Sequence, residues 1–303
     1  MEINRNQYSK IIIISFSIFL SSITWARIRD FETTRLKSTA GTGVGSILME
    51  ESSILNPAPI AFFNVASIYF QKADGEIKSV ESDNPHTPPA SSDQMAVILS
   101  ESNQRLSGSI SYQQQKDDFS ERQRIGISAS SKIKDRSAFG ITTRLTTDRI
   151  STDKVDYKKV KYNQIIAGVT HVISPHFSIG LTFIDPLKTK KEDTRAVVGT
   201  QYVYREMISL MMDVGADYTQ NLSQTTSYHG ALQIKVYGDF FVRAGIFNDK
   251  SIMEKGNGVG IGWVAPKLLL EFALKNTTII ENEKLAQNNQ NLTETSFSIS
   301  YRF

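Results

Sequence analysis

The chain has 303 residues, 40% hydrophobic and 21% charged, and a formal net charge of +3 from 34 basic and 31 acidic side chains. Such a balance offers no basic stripe of the kind a nucleic-acid binder carries. The absence of cysteine excludes disulfide scaffolds, thiolate metal centres and a cysteine nucleophile. No apolar run reaches the roughly 18–20 residues that a membrane-spanning helix needs.

At the start of the chain, Arg5 and Lys10 precede an apolar block, Ile11–Leu20, and Ser21-Ser22-Ile23-Thr24-Trp25-Ala26 follows. A positive start, a short apolar middle and a small residue at the cut predict a signal peptide over 1–26. No cysteine follows the block, so a lipoprotein anchor is not expected.

Residues 27–59 do not alternate, and from Phe62 to Phe303 the pattern becomes period two. In Leu210–Tyr218, Leu210, Met212, Val214, Ala216 and Tyr218 share one face, opposite Met211, Asp213, Gly215 and Asp217. Strand side chains point to opposite faces in turn, so one side is greasy and the other polar. Leu268, Leu270, Phe272 and Leu274 stand opposite Lys267, Glu271 and Lys275 in the same way, and Val259, Ile261 and Trp263 oppose Gly258, Gly260 and Gly262. The pattern predicts fourteen strands: 60–70, 94–100, 105–114, 122–132, 137–147, 161–173, 177–185, 195–204, 208–219, 227–236, 240–248, 257–264, 267–275 and 293–303. Links after even strands are short, as in Ser174-Pro175-His176, and links after odd strands are longer and more polar, as in 148–160 and 276–292. Tight turns on one side and long loops on the other are expected of an antiparallel barrel threaded through an outer membrane. Strands near ten residues fit a tilted crossing of the hydrocarbon layer. Tyr202, Tyr204, Tyr218, Tyr228, Trp263, Phe297 and Tyr301 lie near strand ends, as interfacial aromatics do. The expected organisation is a leader (1–26), an N-terminal plug segment (27–59) and an all-β transmembrane antiparallel barrel of about fourteen strands (60–303), in the outer membrane of a Gram-negative bacterium.

The final residues Phe297, Ile299, Tyr301 and Phe303 alternate with Ser298, Ser300 and Arg302. They resemble the C-terminal signal that barrel assembly machinery reads, which makes that machinery an expected partner beside outer-membrane lipid. Ahead of the barrel, Ser38–Ser46 is glycine-rich, and Glu50-Glu51 is followed by Asn56-Pro57-Ala58. A phosphate-cradling loop is not expected there, because no Gly-Lys-Ser/Thr is present. This Gly/Ala-rich stretch, acidic pair and Asn-Pro-Ala before strand one resemble the long-chain fatty-acid outer-membrane transporter (FadL-like) family. The related barrels associated with type IX secretion are similar. The resemblance implies fourteen strands and an N-terminal plug in the lumen, with Asn56, Pro57 and Ala58 as plug or gating residues. The other reading of these three residues is a plain helix-to-strand turn. The chain departs from the family in being smaller, with no outer loop apolar enough for a hydrophobic capture groove.

Parity places Arg124, Lys132, Arg144, Arg195, Arg205, Lys235, Arg243, Lys267, Lys275 and Arg302 inward, with Asp213, Asp217, Asp239 and Glu271. In a wet lumen this excess of cations attracts anions; alternatively the charges pair with one another or with the plug. Loop lysines Lys154, Lys158, Lys159, Lys161, Lys188, Lys190 and Lys191 are candidates to meet lipopolysaccharide phosphates. His86, His171, His176 and His229 form no catalytic or metal motif, so neither an enzyme nor a cofactor is expected. The leading expectation is a plugged channel or transporter for small solutes, hydrophobic ones included, with a small-molecule or lipid-like ligand. A non-conducting structural or interaction barrel is the alternative.

Overall fold

The structure is a computed structural model and describes residues 28–79, 90–103, 107–118, 120–151, 157–281 and 289–303. The expected leader, His86 and Lys154 lie outside the described residues. Fourteen strands form one closed antiparallel barrel. They are β1 (Ala66–Ser79), β2 (Ala90–Ser102), β3 (Ser107–Asp117), β4 (Ser120–Lys134), β5 (Ser137–Ser151), β6 (Tyr157–Ser174), β7 (Phe177–Ile184), β8 (Arg195–Tyr204), β9 (Ile208–Ala216), β10 (Ser227–Tyr237), β11 (Phe240–Asp249), β12 (Glu254–Val264), β13 (Leu268–Ile279) and β14 (Gln290–Arg302). Closure is made by β1 on β14, with Phe70 opposite Ile299 and Ser67 opposite Arg302. Phe303 N donates to Ala66 O at 3.0 Å and Ala66 N to Phe303 O at 3.2 Å. Without that seam, a row of backbone donors and acceptors would face lipid unpaired.

The alternation read from the sequence becomes an inside and an outside. Phe297, Ile299, Tyr301 and Phe303 are exposed on the outer face, while Ser296, Ser298 and Ser300 are buried. Leu210, Met212 and Val214 face outward, and Met211 and Asp213 inward. The outer face is therefore a greasy belt, as a lipid-facing wall requires.

Two expectations need correction. The first strand begins at Ala66, not at 60: Ala58–Phe62 is a 3-10 turn inside the barrel, with Ile60 fully buried. Pro57, with φ −73°, is preset for that helical turn. Secondly, the strands run further than the apolar alternation, so the short and long links are less distinct: β3 ends at Asp117 and β4 already begins at Ser120. Beyond the greasy belt both faces of a strand are polar, and period two no longer shows in the sequence.

Residues 28–65 run through the lumen. The helix α1 (Thr34–Ser38) starts at Thr33, whose hydroxyl accepts from Leu36 N at 3.1 Å and caps it. A turn with Gly41 at φ +80° follows, a backbone that glycine adopts without a Cβ penalty. Two 3-10 turns, Glu50–Ser53 and Ala58–Phe62, complete the segment. Its first residues sit at the rim of the long links, where Arg122, near the start of β4, donates to Ile28 O and Arg29 O. Its last residues sit at the short-turn rim, where Ser102 Oγ donates to Ile60 O and Phe63 O at 2.7 Å each.

A second, shorter helix, α2 (Leu222–Thr225), lies in the link between β9 and β10.

Candidate functional site

The candidate site is the seam between the lumen wall and residues 28–65. The wall glycines are placed at the points of closest approach. A Cβ on Gly140 would come within 2.6 Å of the Pro57 carbonyl carbon and 2.8 Å of Ala58 N. Gly168, directly opposite Gly140 across β5 and β6, is filled in the same way by the Asn56 side chain. Gly180 and Gly199 also face one another and abut Val44 and Gly45. Gly245 and Gly258 form a third pair against Lys37 and Thr39. The N-terminal segment thus rests backbone-to-wall on three glycine pairs, which only residues lacking a side chain allow.

Asn56, Pro57 and Ala58 are all in this seam. Asn56 is buried, and its Nδ2 donates to Val44 O at 2.9 Å and to Thr170 Oγ1 at 3.0 Å. Its Oδ1 accepts from Ala58 N at 3.1 Å. Together these bonds pin one part of the segment to another and both to β6. Asp213 accepts from Gly43 N at 2.7 Å and Val44 N at 3.0 Å.

The charges are paired across the seam. Near the long-link rim, Arg29 meets Glu254 at 3.3 Å, Asp30 meets Arg124 at 3.4 Å, and Glu32 meets Lys275 at 2.6 Å. Lys37 is bonded to Glu294, which also accepts from Gln94 at 2.9 Å. At the short-turn rim, Glu50 accepts from Ser300 at 3.2 Å and from Arg302 at 3.1 Å. Other pairs lie within the wall: Arg243–Glu271 at 2.8 Å and Arg195–Asp249 at 3.2 Å. Arg144 donates to the carbonyls of Ser53 and Ile54. Glu51 has the least support of the plug carboxylates. Its Oε1 accepts from Thr33 Oγ1 at 2.9 Å and its buried Oε2 has no hydrogen-bond partner. Burial pushes its carboxyl up to about 7; Glu50 and Glu271 push the same way, and Arg35 opposes them.

Not every residue assigned inward by parity lines the seam. Arg205 is exposed in the β8–β9 turn at φ +49°, and Lys267 and Asp239 are exposed in short turns. Lys132 is exposed where the β4–β5 register shifts. Lys235 is half-buried near the short-turn rim over the Phe241 ring. Asp217 stands beyond β9 and caps the following turn, accepting from Thr219 N at 2.7 Å and Gln220 Nε2 at 2.6 Å. Parity failed at these positions because each lies at or past a strand end, where the pleat stops dictating direction.

Other pairs escaped the sequence. Arg122 makes a two-pronged bond with Asp148, at 2.8 Å for both Nε and Nη2, and Tyr162 OH joins it. Arg122 shares parity with Arg124, which is a readable signal, but Asp148 lies in what read as a loop. The plug partners Arg29, Asp30, Glu32 and Lys37 carried no signal, because their segment has no period. His171 meets Ser137 at 2.8 Å on the outer face and His176 is exposed in a turn. His229 faces the lumen and contacts Ala40 O at 2.8 Å. Among the described residues no three His, Asp or Glu side chains are grouped to hold a metal ion.

A closed fourteen-strand transmembrane barrel whose lumen is occupied by its own N-terminal segment is the class of protein this architecture defines. Solved structures share its fold. The chain matches the CymD monoaromatic hydrocarbon channel with a TM-score of 0.68 at 10% identity, over 89% of this chain and 97% of that one. It matches the Ralstonia pickettii toluene transporter TbuX at 0.65 and 10% identity, covering 90% and 98%. A Pseudomonas aeruginosa FadL homologue matches at 0.61 and 13% identity, covering 92% and 99%. At such identities the likeness is one of fold. No protein-family model and no curated protein matches the chain.

Proposed function

We propose that the chain is an outer-membrane channel of a Gram-negative bacterium, closed at rest by residues 28–65 and passing small solutes when that segment moves. One observation carries the reading: the plug is seated by ion pairs, single hydrogen bonds and glycine contacts beside two small apolar clusters, one around Phe31, Leu36, Ile54, Tyr69 and Ile98 and one around Ala58, Ala61 and Ala138. An interface built mainly of polar groups exchanges its bonds for water at small net cost, whereas a thick apolar interface would stay shut. The resemblance in fold to channels named for hydrocarbon and toluene transport supports the same class of activity.

In this reading Asn56, Pro57 and Ala58 are the latch that holds the plug. The lumen-wall groups Arg144 and Asp213 are its counterparts, and Arg195, Arg243 and Glu271 pair within the wall. The exposed lysines Lys158, Lys159, Lys161, Lys188 and Lys191 on the long-link side contact lipopolysaccharide phosphates. Lys190 belongs to a local set instead, with Asp193 at 3.7 Å. The C-terminal run Phe297, Ile299, Tyr301 and Phe303 is the segment offered to the barrel assembly machinery. The structural neighbours named as channels and transporters support a conduit over a catalyst.

Planar-bilayer recording tests this. The wild-type channel should open rarely, and a deletion of 28–59 should conduct continuously. Silence from both proteins, each shown folded by heat-dependent gel migration, would leave only the non-conducting interaction barrel.

A further inference from the structure

Between the first residues of the plug and the strands β10 to β14, the lumen keeps a cavity of about 100 Å³ at the long-link rim. Its lining includes Arg29 and Glu32 from the plug and Glu254 and Lys275 from the wall, over a floor of Phe247 and His229. Every charge there belongs to a pair that crosses the seam or closes within the wall. Plug cation Arg29 holds wall anion Glu254 at 3.3 Å, and plug anion Glu32 holds wall cation Lys275 at 2.6 Å. The Lys275 ammonium also lies 4.6 Å from the centroid of the Phe247 ring, which stacks on His229 at 5.7 Å. One buried donor, Arg29 Nη2, points into this region without a partner.

We propose that this cavity is the entry site for small zwitterionic solutes, and that a bound zwitterion loosens the plug by taking over both of its ion pairs. The proposal rests on the channel reading above and names its substrate class.

The argument is one of charge balance. A solute carrying only an anionic group can replace Glu32 on Lys275, but it leaves Glu32 a half-buried carboxylate without a cation. A solute carrying only a cation does the same to Arg29. Each outcome strands a partly buried charge, which offsets the contact that the solute makes. A solute bearing an ammonium and a carboxylate satisfies Glu254 and Lys275 together. Arg29 and Glu32 are then released as a pair, and both lie on the same short stretch of backbone, free to move out into water together. A hydrocarbon satisfies neither wall charge and displaces whatever water they hold. The Phe247 face accepts the ammonium or the aliphatic part of the solute, since an aromatic face attracts a cation. A volume of about 100 Å³ fits a single small amino acid or part of a dipeptide, not a peptide chain.

Glycine, glycylglycine, sodium acetate, ethylammonium chloride and toluene serve as probes on the purified full-length processed protein. Isothermal titration in detergent reads binding, and bilayer recording with the probe on the long-link side reads opening. Glycine or glycylglycine should bind saturably and raise the open fraction at least about tenfold. Acetate, ethylammonium and toluene should bind at least about tenfold more weakly. Both effects of the zwitterion should fall by about tenfold in Lys275→Met and in Glu254→Gln, and be unchanged in Lys116→Met, whose side chain is exposed on β3. Removing Arg29 and Glu254 together (Arg29→Met with Glu254→Gln) leaves no stranded charge, so loss of binding there is not a folding defect. Acetate binding as well as glycylglycine would make the cavity an anion site, toluene binding better than either would make it a hydrocarbon site, and no binding by any probe would remove it as an entry site. Each of these overturns the proposal. A plug-deleted barrel that conducts while no zwitterion binds would sink this inference and leave the channel reading standing.

Discussion

The two halves of the plug seam are built differently. Toward the long links, residues 29–32 hold the wall through charges, Arg29, Asp30 and Glu32 each facing an opposite partner, while Lys37, buried against Glu294, lies where the glycine seat begins at Gly258. Toward the short turns, residues 50–60 hold it mainly through shape and neutral hydrogen bonds. Pro57 rests on Gly140, Asn56 is bonded to Val44 and Thr170, and Ser52 Oγ meets Ser109 Oγ at 3.0 Å. Ionic contacts are exchangeable with a charged solute or with salt, whereas backbone packed on glycine is not. The difference assigns the first half to release and the second to retention. Among the described residues, Glu50 with Arg302 is the one ion pair at the retaining end.

Breaking the retaining half should have the largest effect. Gly140→Val drives a branched side chain into the Pro57 carbonyl carbon and Ala58 N, neither of which can swing aside. Overpacking of this kind costs about 1–3 kcal/mol and sometimes more. The expected outcome is a plug expelled from its seat: continuous conductance, and cleavage by added protease within 28–65 while the barrel stays intact. A closed, protease-resistant variant would show that Gly140 is not part of the seat.

The retaining half has one built-in weakness, Glu51. Its carboxyl is raised to about 7 from an ordinary 4.5, so the folded state binds the proton more tightly than the unfolded chain. Its contribution is fully present below about pH 4.5 and is lost as pH rises toward 7. Glu51→Gln should therefore gain up to about 3 kcal/mol over the wild type above pH 7 and nothing below pH 4.5. Urea unfolding in lipid vesicles at pH 4 and pH 8.5 reads the difference. An equal gain at both values would assign the effect to packing and not to the buried charge.

Asn56→Ala comes next. It removes donors to Val44 O and Thr170 Oγ1 and the acceptor for Ala58 N. Each buried bond of this kind is worth about 1 kcal/mol net, and more where its partner is left bare. A loss of about 2 kcal/mol is expected in the same unfolding experiment, with a raised open fraction in bilayers. A retained closed state with unchanged stability would return Asn-Pro-Ala to a plain turn.

How much of this was legible follows the same division. The wall was readable because lipid outside and plug inside impose a period of two: Phe297, Ile299 and Tyr301 against Ser296, Ser298 and Ser300 fix register without further information. The glycine alternation at Gly258, Gly260 and Gly262 was visible, but its reason was not, because Lys37 and Ser38, which fill the space, lie far away in sequence. The plug's own partners were hidden for the same cause. No local pattern says that Glu32 will meet Lys275, or that Arg122 will share Asp148 with Tyr162. Parity was carried past the strand ends at Arg205 and Asp239 and to the first residue of an expected strand at Lys267, all of which lie in turns, and the first strand was begun too early because the apolar run 60–63 reads as strand.

The smallest expected effect lies in the releasing half and separates it most sharply from the other. Glu32 and Lys275 keep 20% and 9% of their side-chain surface exposed, so water reaches the pair and weakens it relative to a fully buried one. Glu32→Gln should cost only about 1 kcal/mol in unfolding experiments, yet it unties one of the charged contacts through which residues 29–32 grip the wall. If release begins at this end, that same 1 kcal/mol appears as a several-fold rise in opening frequency, since about 1.4 kcal/mol corresponds to a factor of ten in an equilibrium. It should also make opening less sensitive to ionic strength, because a screened contact has been removed. Arg302→Met, which unties the lone ion pair of the retaining end, should leave opening frequency nearly unchanged, because the glycine seat and Asn56 still hold that end of the plug. Equal effects of the two substitutions on opening would mean that the plug leaves the lumen as one rigid body and has no releasing end.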